Sequence, residues 1–227
     1  CKADPSFYHS YILQDFARND KGIFFPSARR EVFLSFSEKR CIISREERMI
    51  LMLHQLPVVP GVRLHAMQTD KFKTACFSVN FLRPHSARDA ALDALLPSVL
   101  LRGTERYPDI RSISMRLDDL YGATFGTLVR LKGEVKTTGF YADFIEDGFL
   151  PAGEGVFAPV LEFLKEVLYH PLLENGCFTA ANVEGEKQNL INAIESSLND
   201  KRTYAALRLR ALMCEGEAYA VPRLGRA

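Results

Sequence analysis

Between residues 62 and 100 the spacing of apolar side chains changes from two to about 3.6, and this change constrains the fold more than any other feature. The stretch Phe72–Phe81, "FKTACFSVNF", alternates apolar with small or polar residues, as a half-buried strand does. Val62–Met67 reads as its partner, and "QTDK" supplies turn chemistry between them through Asp70. Leu92, Leu95, Leu96, Val99 and Leu100 then recur at helical spacing. A helix is expected from about Ala87 to Arg102, capped by Ser86 and ended by Gly103. Its interior carries Pro97, which lacks an N–H and costs roughly 3 kcal/mol in such a place.

The pattern continues with a helix at about Asp109–Leu120, closed by Tyr121-Gly122. Strands follow at about Ala123–Leu131 and Glu134–Ile145, joined by a tight turn at Lys132-Gly133. "PAGEGV" breaks the chain, and "VFAPVLEFLKEVLYHP" reads as an amphipathic helix stopped by Pro171. From about Thr179 to Cys214 the composition favours one long helix or two joined ones. The order β-β-α-α-β-β-α-α predicts an α+β fold with helices packed on an antiparallel or mixed sheet. Residues 1–56 show no sustained period of two or 3.6. They are read as an extension to a domain spanning 57–227, with translation expected to begin at Met49.

The balance of 29 basic and 28 acidic residues leaves a net charge of +1, which offers no electrostatic footprint for nucleic acid. No apolar run approaches the roughly 18 residues needed to span a bilayer, so no membrane insertion is expected. Five cysteines at irregular spacing form no C-x-x-C pair, and a reducing cytoplasm is the simplest setting.

The residues alone supply no catalytic constellation. The histidines His9, His54, His65, His85 and His170 contain no pair three or four apart, so H-E-x-x-H and H-x-x-E-H are both absent. Ser98 lies in a leucine-rich helix without a G-x-S-x-G elbow and reads as a packing residue. Gly153-Glu154-Gly155 is a loop breaker that falls short of a phosphate cradle. Glu184 and Glu195 share a helix face, with Glu186 elsewhere on it, and read as solvated carboxylates. "NDKRTY", beginning at Asn199, reads first as a joint between two helices and second as a functional contact.

Four stretches together resemble the N-terminal domain of the insulinase/pitrilysin-type metallopeptidases, the inverzincins. They are "GVRLHAMQTDKFKTACFSVNF", "LLPSVLLRGTERYPDIRSISMRLDDLYGATF", "VLEFLKEVLYHPLLENGCF" and "NVEGEKQNLINAIESSLNDKRTYA". They run in the family's order from about Gly61 to the end of the chain. R-G-T (Arg102, Gly103, Thr104) before a helix that ends in L-Y-G-A is the most specific piece. The resemblance is greatest to the non-catalytic member of paired bacterial insulinase-like proteins.

In active members the helix before R/K-G-T carries H-x-x-E-H, two zinc-binding histidines and a general-base glutamate. Counted back from Gly103, those positions hold Ala94, Pro97 and Ser98. The third ligand, seven residues after the second glutamate of an E-x-E pattern, corresponds to Ala193. The resemblance therefore implies a degenerate site with no cofactor of its own, zinc being expected only in an active partner. It also implies a heterodimer with a catalytically competent homologue around a peptide substrate, and a first domain that is partial. Arg102, Gly103, Thr104, Tyr121, Gly122, Asn199, Asp200 and Lys201 are carried over as structural or partner contacts. Two alternatives stand beside this reading. One is an active zinc peptidase with displaced ligands drawn from His65, His85 and Glu195; the other is a scaffold protein that has left proteolysis.

Overall fold

A computed structural model describes residues 29–36, 52–59, 61–69 and 71–226. Six strands form one mixed sheet among these residues: β1 (Arg29–Phe36), β2 (Met52–Val59), β3 (Val62–Gln68), β4 (Thr74–Pro84), β5 (Thr124–Lys132) and β6 (Val135–Ile145). Their order is β2-β3-β1-β4-β6-β5. Only the β1–β3 pairing within this sheet is parallel; the others are antiparallel. The expected α+β class with a mixed sheet is thus what the chain adopts. Arg29–Phe36, inside the stretch without a clear period, is an inner strand between β3 and β4.

Alternation decides which face of the sheet is covered. Ala75, Phe77 and Val79 of β4 and Phe140, Ala142 and Phe144 of β6 point one way and are buried. The helices α1 (Ala90–Leu100), α2 (Ile110–Asp119) and α3 (Phe157–Tyr169) supply core residues to the same cluster. On α3 Leu164 and Val167 are fully buried beside Val160 and Phe163. Asp147 starts this helix by accepting the N–H groups of Val156 (2.7 Å) and Phe157 (3.1 Å). Where β4 pairs with β6 at Asn80–Gly139, a side chain at Gly139 would meet the Val79 carbonyl at 1.9 Å, so only glycine fits.

The remaining elements are the two-residue strands β7 (Leu173–Glu174) and β8 (Cys177–Phe178), then α4 (Ala180–Ser196) and α5 (Lys201–Met213). Three local expectations are corrected. The first helix begins at Ala90 rather than Ala87, and Asp89 rather than Ser86 stands at its N-cap. Ser86 instead forms a preceding turn, its hydroxyl accepting the Asp89 N–H at 3.2 Å. The β5–β6 turn is Gly133-Glu134, because Lys132 already pairs with Val135. Among the described residues no helix is long and apolar enough to cross a membrane.

Candidate functional site

Helix α1 is where the expected site would lie. It runs unbroken through Pro97, whose carbonyl accepts the Leu101 N–H at 3.2 Å. Proline has no N–H for the Asp93 carbonyl one turn earlier, so the backbone ladder lacks that bond. Ala94 and Pro97 are buried and Ser98 is half-buried. Ala193 sits exposed on α4, which packs against α1.

Zinc sites are built from imidazole, thiolate or carboxylate donors. Alanine and proline side chains carry no donor atom, and a neutral serine hydroxyl alone is a poor one. The residues at these positions therefore do not fit a zinc ion. The displaced set is not brought together either: among the described residues no three His, Cys, Asp or Glu side chains gather as metal ligands. His85 is buried, with Nε2 on the Val221 carbonyl at 3.1 Å, while Glu195 is exposed on α4.

The R-G-T segment is a structural knot. Arg102 pairs with Glu186 of α4, so Glu186 is not the solvated carboxylate expected from sequence. A side chain at Gly103 would come within 2.7 Å of the Pro108 carbonyl oxygen, and the Gly103 carbonyl accepts the Leu172 N–H at 3.1 Å. Thr104 is fully buried; its hydroxyl accepts the Tyr107 N–H at 3.0 Å, and its backbone bridges to Pro171. These contacts tie the end of α1 to the segment after α3.

Tyr121 and Gly122 turn the chain out of α2 with φ of 60° and 70°, and the Tyr121 hydroxyl reaches Glu154. Aspartate and serine reciprocally cap the start of α2, Asp109 Oδ1 taking the Ser112 N–H at 2.7 Å. At the other joint, Asp200 caps α5 by accepting the Arg202 and Thr203 N–H groups. Lys201 Nζ meets the Leu198 carbonyl at 2.9 Å, and Asn199 donates its N–H to Ser196 O at 3.0 Å. "NDK" is thus the helix joint of its first reading.

Sequence reasoning missed a polar network at the start of α1. Arg83, near the end of β4, donates to Asp93 at 2.7 Å and to Asp89 at 3.0 Å. Lys136, fully buried on β6, donates to the Ala90 carbonyl. Burial pushes the Lys136 ammonium down to about 8, with Asp93 opposing the shift. Burial also raises the Asp93 carboxyl, against the pull of Arg83 and Lys136. Two cations and two carboxylates thus alternate around the first turn of α1 and fix that helix over β4 and β6. The acids also suit the positive end of the helix dipole. The partners come from three elements, so no local motif announces them.

No family model matches the chain. It is 32% identical over 161 residues to the probable inactive metalloprotease YmfF of Bacillus subtilis (strain 168), covering 71% of this chain and 38% of that protein. A crystal structure of a conserved protein from Enterococcus faecalis V583 is similar with a TM-score of 0.69 at 31% identity, over 77% of this chain and 41% of that one. The crystal structure of a peptidase M16 inactive domain from Pseudomonas fluorescens shares the fold, with a TM-score of 0.55 at 18% identity. That match covers 78% of this chain and 39% of the other. The chain spans about two fifths of the length of these relatives. By sequence the chain is thus a relative of a probable inactive metalloprotease, and its fold is that of an insulinase-like, M16 peptidase domain.

Proposed function

We propose that this chain is a non-catalytic insulinase-like homologue that pairs with a zinc-bearing homologue and helps form a chamber for peptides. One observation carries the reading. The scaffold around α1 is kept down to the Gly103 close approach, while Ala94, Pro97, Ser98 and Ala193 leave no donor set for zinc. A protein freed from the peptidase architecture would have little reason to keep the scaffold that frames the site. The names of two relatives, an inactive metalloprotease and an inactive domain, support the same reading.

In this arrangement the partner supplies the metal, the activated water and the proton transfers of hydrolysis. This chain supplies shape and peptide contacts and takes no part in bond cleavage. Co-expression of the full-length protein with a homologue carrying intact H-x-x-E-H tests it. A stable complex whose peptidase activity depends on both chains is the expected result. Two proteins that elute separately, with the zinc-bearing one fully active alone, would overturn it.

A further inference from the structure

His85 follows β4 directly and is buried beside the β5–β6 turn. Its backbone N–H donates to the Glu134 carbonyl at 2.7 Å, while the Glu134 side chain is exposed. Its Nε2 faces the Val221 carbonyl at 3.1 Å. A carbonyl only accepts, so Nε2 carries the proton and Nδ1 is the bare nitrogen of a neutral imidazole. Nδ1 is sealed from solvent and has no hydrogen-bond partner. Two cations act on the ring, Lys136 of β6 and Arg210 of α5, against one anion, Asp93 of α1. Asp93 is itself paired with Arg83 of β4, which also holds Asp89.

We propose that His85 is a proton-sensitive element of the β4–α1 junction, seated as a neutral ring and driven from its seat when it is charged. A second proton would go to Nδ1. That creates a buried N–H without an acceptor, and a charge that two neighbouring cations oppose. Both costs disappear once the ring turns out to water. Burial is the main reason that the His85 imidazole takes up a proton less readily than usual; Val221 and Asp93 favour the charged ring, and Lys136 and Arg210 oppose it. The unfolded chain therefore binds this proton more tightly than the folded one. Stability from the seated ring is full above the ordinary value of 6.5 and is lost as pH falls through the lower folded value. The turn that His85 begins also carries Ser86 and Asp89, so the ring's departure disturbs the first turn of α1. The described residues already close the seat, and any further chain laid over it only deepens the burial.

An NMR titration of the full-length protein tests this. The His85 ring signal should titrate below 6.5, and the amides of residues 85–93 should lose protection over the same range. The loss is limited to about tenfold for each pH unit between the folded midpoint and the ordinary value. His85→Gln, whose amide donates to Val221 without titrating, should abolish that loss. Lys136→Met removes a neighbouring cation and should raise the His85 midpoint, a check that stands if His85→Gln does not fold. A His85 midpoint at or above 6.5 would overturn the proposal. So would a junction unchanged through the titration, or the same acid response in His85→Gln, which would assign it to Asp89 and Asp93.

Discussion

Helices α3 and α4–α5 are packed in opposite ways, and their sequences differ to match: "FAPVLEFLKEVLY" is mostly apolar, "AANVEGEKQNLINAIES" and "KRTYAALRLRALM" largely polar. Along α3, six side chains are buried, Val160, Leu161, Phe163, Leu164, Val167 and Leu168, against the sheet's apolar face. Along α4 and α5 none is buried among the described residues, and Glu186 of α4 pairs with Arg102 after α1. Helix propensity makes both segments helical; the packing partner decides how firmly each is kept. The contrast separates a helix fixed by the sheet's apolar face from two whose described contacts are mainly polar.

The sharpest way to break the comparison is a matched pair of leucine truncations. Leu164→Ala should destabilise by about 2–5 kcal/mol in chemical denaturation, because it empties a filled core. Leu212→Ala on α5 should stay within about 0.5 kcal/mol. Equal effects would erase the distinction. Next in size, Gly139→Ala should cost about 1–3 kcal/mol, by forcing β6 away from the Val79 carbonyl and weakening the sheet under α3.

The sheet also carries a pH signature of its own, in Lys136. The folded-state value of Lys136, about 8, lies below its ordinary 10.5, so the unfolded chain binds that proton more tightly. Its contribution to stability should therefore rise with pH between about 8 and 10.5, and burial should cost its full amount below that window. Denaturation of the protein against Lys136→Met checks this: the difference between the two should change across the window and be flat below it. The smallest effect belongs to the start of α5. Asp200→Ala removes the α5 cap and should speed exchange in the first turn of that helix alone, leaving the global denaturation midpoint unmoved.

The alternation of "FKTACFSVNF" and the spacing in "VLEFLKEVLY" were legible because each segment buries one face, and a single face writes a period into the sequence. Arg29–Phe36 was not legible. Its run Val32-Phe33-Leu34 has no clean alternation, and it pairs with strands far along the chain. The degenerate site was readable only through resemblance, since Ala94, Pro97 and Ser98 by themselves look like packing residues. Arg83, Asp93 and Lys136 each look like surface charges in sequence. Only the approach of β4, β6 and α1 turns them into a buried network. Glu186 misled for the same reason: its partner Arg102 lies 84 residues away.

An insulinase-like scaffold with Ala94, Pro97, Ser98 and Ala193 at the positions of the zinc ligands and base should hold no zinc of its own. Metal content of the purified full-length protein, measured after dialysis against micromolar zinc and then metal-free buffer, tests it most directly. Zinc far below one ion per chain, unchanged by His85→Ala, is the expected result. One tightly held zinc per chain, removed by chelator together with a peptidase activity of the isolated protein, would contradict it.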